Sequence, residues 1–372
     1  MRVGLVVPGF SAAPADWCIP ALRHLARSLA TGDDVRVIAL RYPYHAARYA
    51  VDGVEVLALG GAARRGARTP GVWRTTLDAL RHEHRRRPFD VLHAFWATES
   101  GLLAAIAGRA LRIPTLVSLA GGELVSLPDI GYGDQRAAWE RLKVRACLRL
   151  ACAVSAGSAL LACLAERHVH GRRVHRAPLG VDLDLFQPAA SPSARGAGPR
   201  LVHVGTLTRV KDQATLLRAF SRVRQVHRGA ILDIGGDGPL RPELERLASR
   251  VGLDGAVHFH GSIDHAALGR VYQAADAFVL SSRYEAQSMV AIEAAACGAP
   301  VAGTAVGVLP ELTSALSAPS DASRLADSVV AALDDPTLTR ASLTRARSDF
   351  GLRVATGGFR RLYAGLPARR GS

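Results

Sequence analysis

Apolar residues along the chain fall into short blocks separated by longer amphipathic stretches. The blocks RVGLVV (2–7), DVRVIAL (34–40), DVLHAF (90–95), PTLVSLA (114–120) and CAVSA (152–156) are almost continuously apolar, the pattern of strands covered on both faces. Between them, CIPALRHLARSLA (18–30), ESGLLAAIAGRAL (99–111) and AAWERLKVRACLRL (137–150) repeat apolar residues every three or four positions and predict helices. Strand alternating with helix predicts parallel βαβ units in a doubly wound sheet. The stretch FQPAASPSARGAGPR (186–200), rich in Pro, Ala, Ser and Gly, interrupts the rhythm. It then restarts, with strands at 200–207, 230–236, 257–261, 276–282 and 300–304 and helices at 212–225, 240–252, 265–275 and 287–297. The expectation is two α/β Rossmann-like domains, 1–186 and 200–349, joined by a linker at 187–199. Ligands of open parallel sheets bind outside the carboxyl ends of the strands, so two such sheets facing each other predict a central cleft.

Composition narrows the class. A hydrophobic share of 49% with 21% charged residues fits a globular chain and argues against extended disorder. The most apolar segment, GLLAAIAGRALRIPTLVSLAGG, is broken by Arg109, Arg112 and Pro114, so no spanning helix is expected. The N-terminus lacks a cleavage pattern, so no secretory leader is expected. Five cysteines without CxxC spacing point to a reduced, cytoplasmic setting rather than a disulfide framework or a zinc site. The net charge of +15 rests almost wholly on arginine, since Lys143 and Lys211 are the only lysines. Arginine and alanine in such excess fit a GC-rich genome; they also fit attraction to polyanions. The runs RHEHRRRPF (81–89) and RRGAR (64–68) are candidate contacts with an anionic membrane surface, which would make the protein peripheral at the inner face. Neither run is interleaved with aromatics, so no nucleic-acid partner is expected.

The chemistry concentrates in the second half. In SSRYEAQSMVAIEAAACG (281–298), Glu285 follows a strand, and Glu293 lies inside a predicted helix among the apolar residues Met289, Val290, Ala296 and Cys297. A carboxylate there is either solvent-facing or buried with specific partners. The first amides of that helix, at Ser288, Met289 and Val290, suit an anion, with the Ser288 hydroxyl beside them. GTLTRVKD (205–212) ends a strand at Gly205 and delivers Arg209 and Lys211, cations that suit a departing phosphate. GGDGPL (235–240), with Gly236, is either a phosphate-approaching turn or structural punctuation. In the first half, Gly9 in VPGFS and Gly121, Gly122 and Glu123 in SLAGGEL end strands and are candidates for the facing wall of the cleft, with Glu123 reaching an acceptor hydroxyl. His93 is either a proton shuttle or a core histidine. No catalytic triad, Walker loop or HExxH appears.

The pieces YEAQSMVAIEAAACGAPV, VGTLTRVKDQATLLRAF, GGDGPL, VHFHGSI and APLGVDLDLFQP (177–188), in this order, resemble the retaining glycosyltransferases of family 4, which have the GT-B fold. FGLRVATGGFRRLYAGL (350–366) resembles their terminal helices, implying that 350–372 crosses back onto the first, acceptor-binding domain. The resemblance implies that Glu285 holds the donor sugar's hydroxyls and Glu293 the ribose hydroxyls. It further implies that Ser288, Met289 and Val290 present amides to the diphosphate, Lys211 balances its charge, and the backbone around His260 meets the base. Two positions depart from the family: Thr206 stands where arginine is usual, with Arg209 the candidate replacement, and Ala120 where a histidine often contacts the sugar. The implied reaction is retaining transfer from a nucleotide-sugar donor to an acceptor hydroxyl, as in polysaccharide, glycolipid or glycoside synthesis. Neither a metal nor another cofactor is expected. The alternative is a catalytically silent or non-transferase GT-B nucleotide-sugar-binding protein, the latter a sugar-nucleotide epimerase or a phosphorylase. Acceptor choice is assigned to loops at 41–75 and 123–136.

Overall fold

The computed structural model describes residues 1–61, 69–169, 171–190 and 198–367. The chain forms two compact units: Met1–Gly180 with the segment from Leu352 onward, and Val181–Gly351.

In the first unit, β1 (Arg2–Gly9), α1 (Pro20–Ala30) and β2 (Asp34–Tyr42) are followed by β3 (Ala46–Val51), β4 (Val54–Leu59) and α2 (Thr69–Arg86). Then come β5 (Val91–Phe95), α3 (Glu99–Leu111), β6 (Thr115–Leu119), α4 (Ala138–Leu150), β7 (Ala153–Ala156), α5 (Ala159–Glu166) and β8 (Val174–Arg176). The strand order is β3-β4-β2-β1-β5-β6-β7-β8, parallel except where β3 meets β4. Val3 and Leu5 of β1 pair in register with Val35 and Val37 of β2, so their side chains share one face. That face packs on Leu22, Leu25 and Leu29 of α1.

The region 41–75 differs from the expected loop. Its described part is mostly regular: β2 runs to Tyr42, β3 and β4 form a hairpin, and α2 begins at Thr69. The hairpin turn is Asp52–Gly53 with φ of 51° and 77°, the mirror-type turn whose twist matches paired strands. The run 64–68 lies outside the described residues, whereas 81–89 forms the end of α2 and the loop after it, with Arg81, Arg85, Arg86 and Arg87 exposed.

The second unit contains β9 (Arg200–Val204), α6 (Gln213–Val226), β10 (Ile231–Gly235), α7 (Arg241–Arg250), β11 (Val257–Gly261), α8 (Leu268–Gln273) and β12 (Ala277–Leu280). It continues with α9 (Met289–Ala296), β13 (Val301–Thr304), α10 (Leu309–Leu312), β14 (Leu316–Ser317), α11 (Ala322–Asp334) and α12 (Pro336–Phe350). The order β11-β10-β9-β12-β13-β14, all parallel, is the doubly wound arrangement with its reversal between β9 and β12. One face buries Leu201, Leu232, Ile234 and Val279, and the other Val202, Phe278 and Leu280.

The junction lies earlier than expected. Val181 and Phe186 are buried in the second unit's core, and the Val181 amide donates to Phe350 O at 2.8 Å. Of the expected linker, 191–197 lies outside the described residues. The terminal stretch holds a single helix of the first unit, α13 (Leu352–Gly365), while α12 belongs to the second. Among the described residues, no helix is long and apolar enough to cross a membrane.

Candidate active site

The loops leaving β9 and β12 meet at the reversal of the second sheet, where the strand order opens a crevice. Gly205 ends β9, and the loop after it turns through an αL residue, Asp212 (φ 49°), whose side chain caps α6 by accepting from the Thr215 amide. Across from it, the Arg283 amide donates to Val210 O (2.7 Å) and Ser281 Oγ to Lys211 O (2.8 Å), so the two loops are stitched by main-chain contacts. This places Lys211 Nζ 2.6 Å from Glu285 Oε1, which also accepts from Ser282 Oγ at 2.6 Å. The Ser282 carbonyl accepts in turn from Thr304 Oγ1 (2.7 Å).

Both charged side chains are largely covered, at 22% and 11% exposure. Lys and Glu are seldom buried unless paired, and such a pair adds little to stability because desolvation offsets its attraction. Its placement at the strand ends is therefore better explained by chemistry than by folding. Beneath it, His203 lies fully buried, with Nδ1 2.9 Å from Val279 O and Nε2 3.2 Å from Gln213 Nε2. Burial pushes its pKa down to about 4, so the ring is neutral, donating through Nδ1 and accepting through Nε2. Gln213 also donates to Thr206 O (3.0 Å), fixing that loop. Ser282, Thr304, His203 and Gln213 carried no sequence signal of their own. Thr206 and Arg209, on the loop that carries Lys211, are exposed.

Glu293 sits on α9 and is buried, and the chain supplies its partners. Tyr272 OH donates to Oε2 at 3.2 Å, and His265 Nε2 lies 3.3 Å from Oε1. Burial, with this carboxylate beside it, holds the Tyr272 hydroxyl protonated. The helix start is constrained as well. Ser288 has φ 78°, an αL conformation that a non-glycine residue adopts at some cost, and its buried Oγ has no hydrogen-bond partner among the described residues. Gly307 presses on this turn: a Cβ there would lie 2.9 Å from Glu285 Cβ. An unpartnered buried hydroxyl beside the first amides of a helix, at Met289 and Val290, is an arrangement suited to an anion.

The glycines of 235–240 have a packing reason. A Cβ on Gly236 (φ 122°) would collide with the Gly205 carbonyl, and one on Gly238 would press on Leu207 O at 2.6 Å. The Gly205 and Gly236 amides donate to Gly235 O (2.9 Å) and Gly261 O (2.7 Å), binding the two loops together. The side chain of His260 turns to Asp233, with Nε2 2.6 Å from Oδ1.

In the first unit, the glycines make room for aromatic groups. A Cβ on Gly9 would lie 2.9 Å from Tyr42 Cβ, on Gly121 2.8 Å from Trp96 Nε1, and on Gly122 2.9 Å from the Tyr132 ring. The expectation for Glu123 is corrected. Its side chain is fully buried and accepts from the amides of Gly121 (2.7 Å), Ala120 (3.1 Å) and Ala97 (3.3 Å), so it ties strand-end loops together rather than facing a ligand. Burial raises its pKa despite those donors. His93 is a core histidine, with Nε2 2.7 Å from Ser118 Oγ and Nδ1 2.7 Å from Tyr363 OH.

Residues 19–180 match the family described as glycosyl transferase 4-like domain, and 198–335 the one described as glycosyl transferases group 1. Glycogen synthase of Mycobacterium tuberculosis is 34% identical over 201 residues, 52% of this chain. The chain spans about half, 48%, of the length of that relative. D-inositol 3-phosphate glycosyltransferase 1 of Catenulispora acidiphila is 30% identical over 292 residues, covering 71% of this chain and 69% of its own. Among solved structures, sucrose-phosphate synthase from Thermosynechococcus elongatus superposes with a TM-score of 0.80 at 24% identity, covering 98% of this chain and 99% of that one. Anabaena HepE in complex with UDP and glucose gives 0.76 at 18% identity over 98% and 99%. At these identities the structural likeness shows the fold, GT-B.

Proposed function

The chain belongs to the group 1 glycosyltransferases of family 4, and we propose that it moves a sugar, with retention of configuration, from a nucleotide-sugar donor to an acceptor hydroxyl. The observation that carries the reading is the Lys211–Glu285 pair at the reversal of the second sheet, facing the start of α9. Glu285 accepts from the sugar's hydroxyls. Lys211, the Ser288 hydroxyl and the amides of Met289 and Val290 meet the diphosphate, whose charge grows as it leaves, so no metal is required. The new bond from acceptor oxygen to the anomeric carbon forms as the bond to phosphate breaks, on the same face. The acceptor proton passes to the departing phosphate oxygen, which fits a site without a nucleophile–base pair.

Glu293 takes the ribose hydroxyls in this reading by exchanging or sharing its bonds to Tyr272 and His265, and the backbone after His260 meets the base. A nucleotide partner is supported by the UDP in the HepE complex. The exposed arginines at the end of α2 support a contact with anionic lipid. Donor identity is tested by calorimetric titration with UDP-, GDP- and ADP-sugars, followed by turnover on the donor that binds. Glu285→Gln is expected to cut turnover about 100-fold while nucleotide affinity changes little. Glu293→Gln is expected to weaken nucleotide binding. Wild-type behaviour in both variants overturns the assignment, and binding without transfer across a broad acceptor panel identifies a silent binder instead.

A further inference from the structure

We propose that Asp233, His258 and His260 bind a divalent transition metal of the zinc class on the outer strands of the second sheet, through side chains that take no part in the proposed transfer. The strand register builds it. In the parallel pair β10–β11, Asp233 lies opposite His258, and His260 comes to the same face two residues further on. His260 Nε2 is 2.6 Å and His258 Nδ1 3.6 Å from the same carboxylate oxygen, Oδ1. One ligand atom from each of the three residues lies within 4.8 Å of the others. Bonds of about 2.0–2.1 Å around a tetrahedral ion put neighbouring ligand atoms about 3.3 Å apart, between the 2.6 Å and 3.6 Å separations seen here.

The surroundings orient the ligands. Asp233 is 5% exposed, and its other oxygen, Oδ2, accepts from Arg200 Nη1 at 2.7 Å. Arg200 can keep that bond while Oδ1 faces the two rings, the outer-shell arrangement that fixes a ligating carboxylate. The histidines are 47% and 45% exposed, so solvent fills the remaining position. Two imidazoles and one carboxylate favour zinc, nickel or copper over magnesium or calcium. An ion here would brace the strand that runs into the Gly236–Gly261 pair, beside the loop that carries Lys211.

The test uses the full, untagged chain, stripped with a chelator and titrated calorimetrically with Zn²⁺, and with Co²⁺ followed by absorbance. One equivalent is expected to bind, with the Co²⁺ bands of a low-coordinate nitrogen–oxygen site. His258→Ala and His260→Ala are each expected to weaken binding about tenfold or more. Both rings are half exposed, and the variants' unchanged melting without metal checks that the fold is retained. Absence of Zn²⁺ binding by the wild type, or unchanged affinity in the double variant, overturns the inference. Because the readout is metal binding, the result is independent of whether the chain transfers sugar.

Discussion

At the scale of single residues, burial decides what each polar group can do. Glu123 and Glu293 are both covered carboxylates, yet Glu123 is held by three backbone amides and Glu293 by two side chains. Exchanging a side-chain partner for a ligand moves only rotamers, whereas freeing Glu123 would unmake a loop. His203 gives a residue-scale prediction. Its pKa falls from 6.5 to about 4 on folding because burial penalises the charged ring. Above pH 6.5 both states are neutral and its contribution is fully present. Between 6.5 and 4 the unfolded chain takes up a proton that the folded one refuses, so stability is lost as pH falls, by up to about 1.4 kcal/mol per pH unit. Urea unfolding of the second unit at pH 7, 6 and 5 should show this slope, and His203→Gln should flatten it by about one proton. An unchanged slope would mean that the ring is not the titrating group. The sequence singled out Glu285 and Lys211, which the structure pairs, and the apolar surroundings of Glu293. It did not show that Tyr272 and His265 come from another element to meet that carboxylate, because such partners are fixed by tertiary packing rather than by spacing.

At the scale of elements, the informative places are where two loops share space. The loop after β9 and the glycine turn after β10 interlock, and Gly236 is the position that allows it. Its φ of 122° is strained for any side chain, and a Cβ would displace the Gly205 carbonyl. Gly236→Ala is therefore expected to shift the loop that carries Lys211. Nucleotide-sugar affinity should fall about tenfold or more, corresponding to about 1.4 kcal/mol. Calorimetric titration of the donor measures this, and unchanged affinity would show that the glycine serves only as a spacer. The glycine turn was visible in the sequence, but its cause was not, since the collision is with Gly205, 31 positions before it. The hairpin β3–β4 is legible in the sequence, because Asp52–Gly53 between apolar runs is a strong two-residue turn signal. Helix α2 was masked by its polar, arginine-rich half. The Pro- and Ser-rich stretch at 186–200 lies after the change of fold unit at Gly180–Val181, because contacts rather than composition divide the units. Val181 enters the second core before that stretch begins, and Phe186, its first residue, is buried in the same core.

At the scale of the whole molecule, the chain leaves the first unit at Gly180 and returns to it at Leu352, so the first core is completed by the last helix. Phe359 and Tyr363 of α13 pack with Val3, Leu5 and Phe95, and Arg360 Nε donates to Asp33 Oδ2 at 2.7 Å. The deepest link is Tyr363 OH to His93 Nδ1, joining residues 270 positions apart. His93 uses both ring nitrogens, its burial pushes its pKa down to about 3, and it stays neutral with one nitrogen donating and the other accepting. Tyr363→Phe removes one of those partners without opening a large cavity, leaving a buried nitrogen unpaired at a cost of about 1–3 kcal/mol. That cost falls on the unit that contains the bond. Hydrogen exchange should therefore quicken in β5, which carries the histidine, and in its neighbours β1 and β6, and stay at the wild-type rate in β9 and β12. Equal quickening in both units would mean that α13 does not act through the first core. Because the partner lies 270 positions after the histidine, the first unit cannot bring the two together until the whole second unit has been made, although its eight described strands are complete by Arg176.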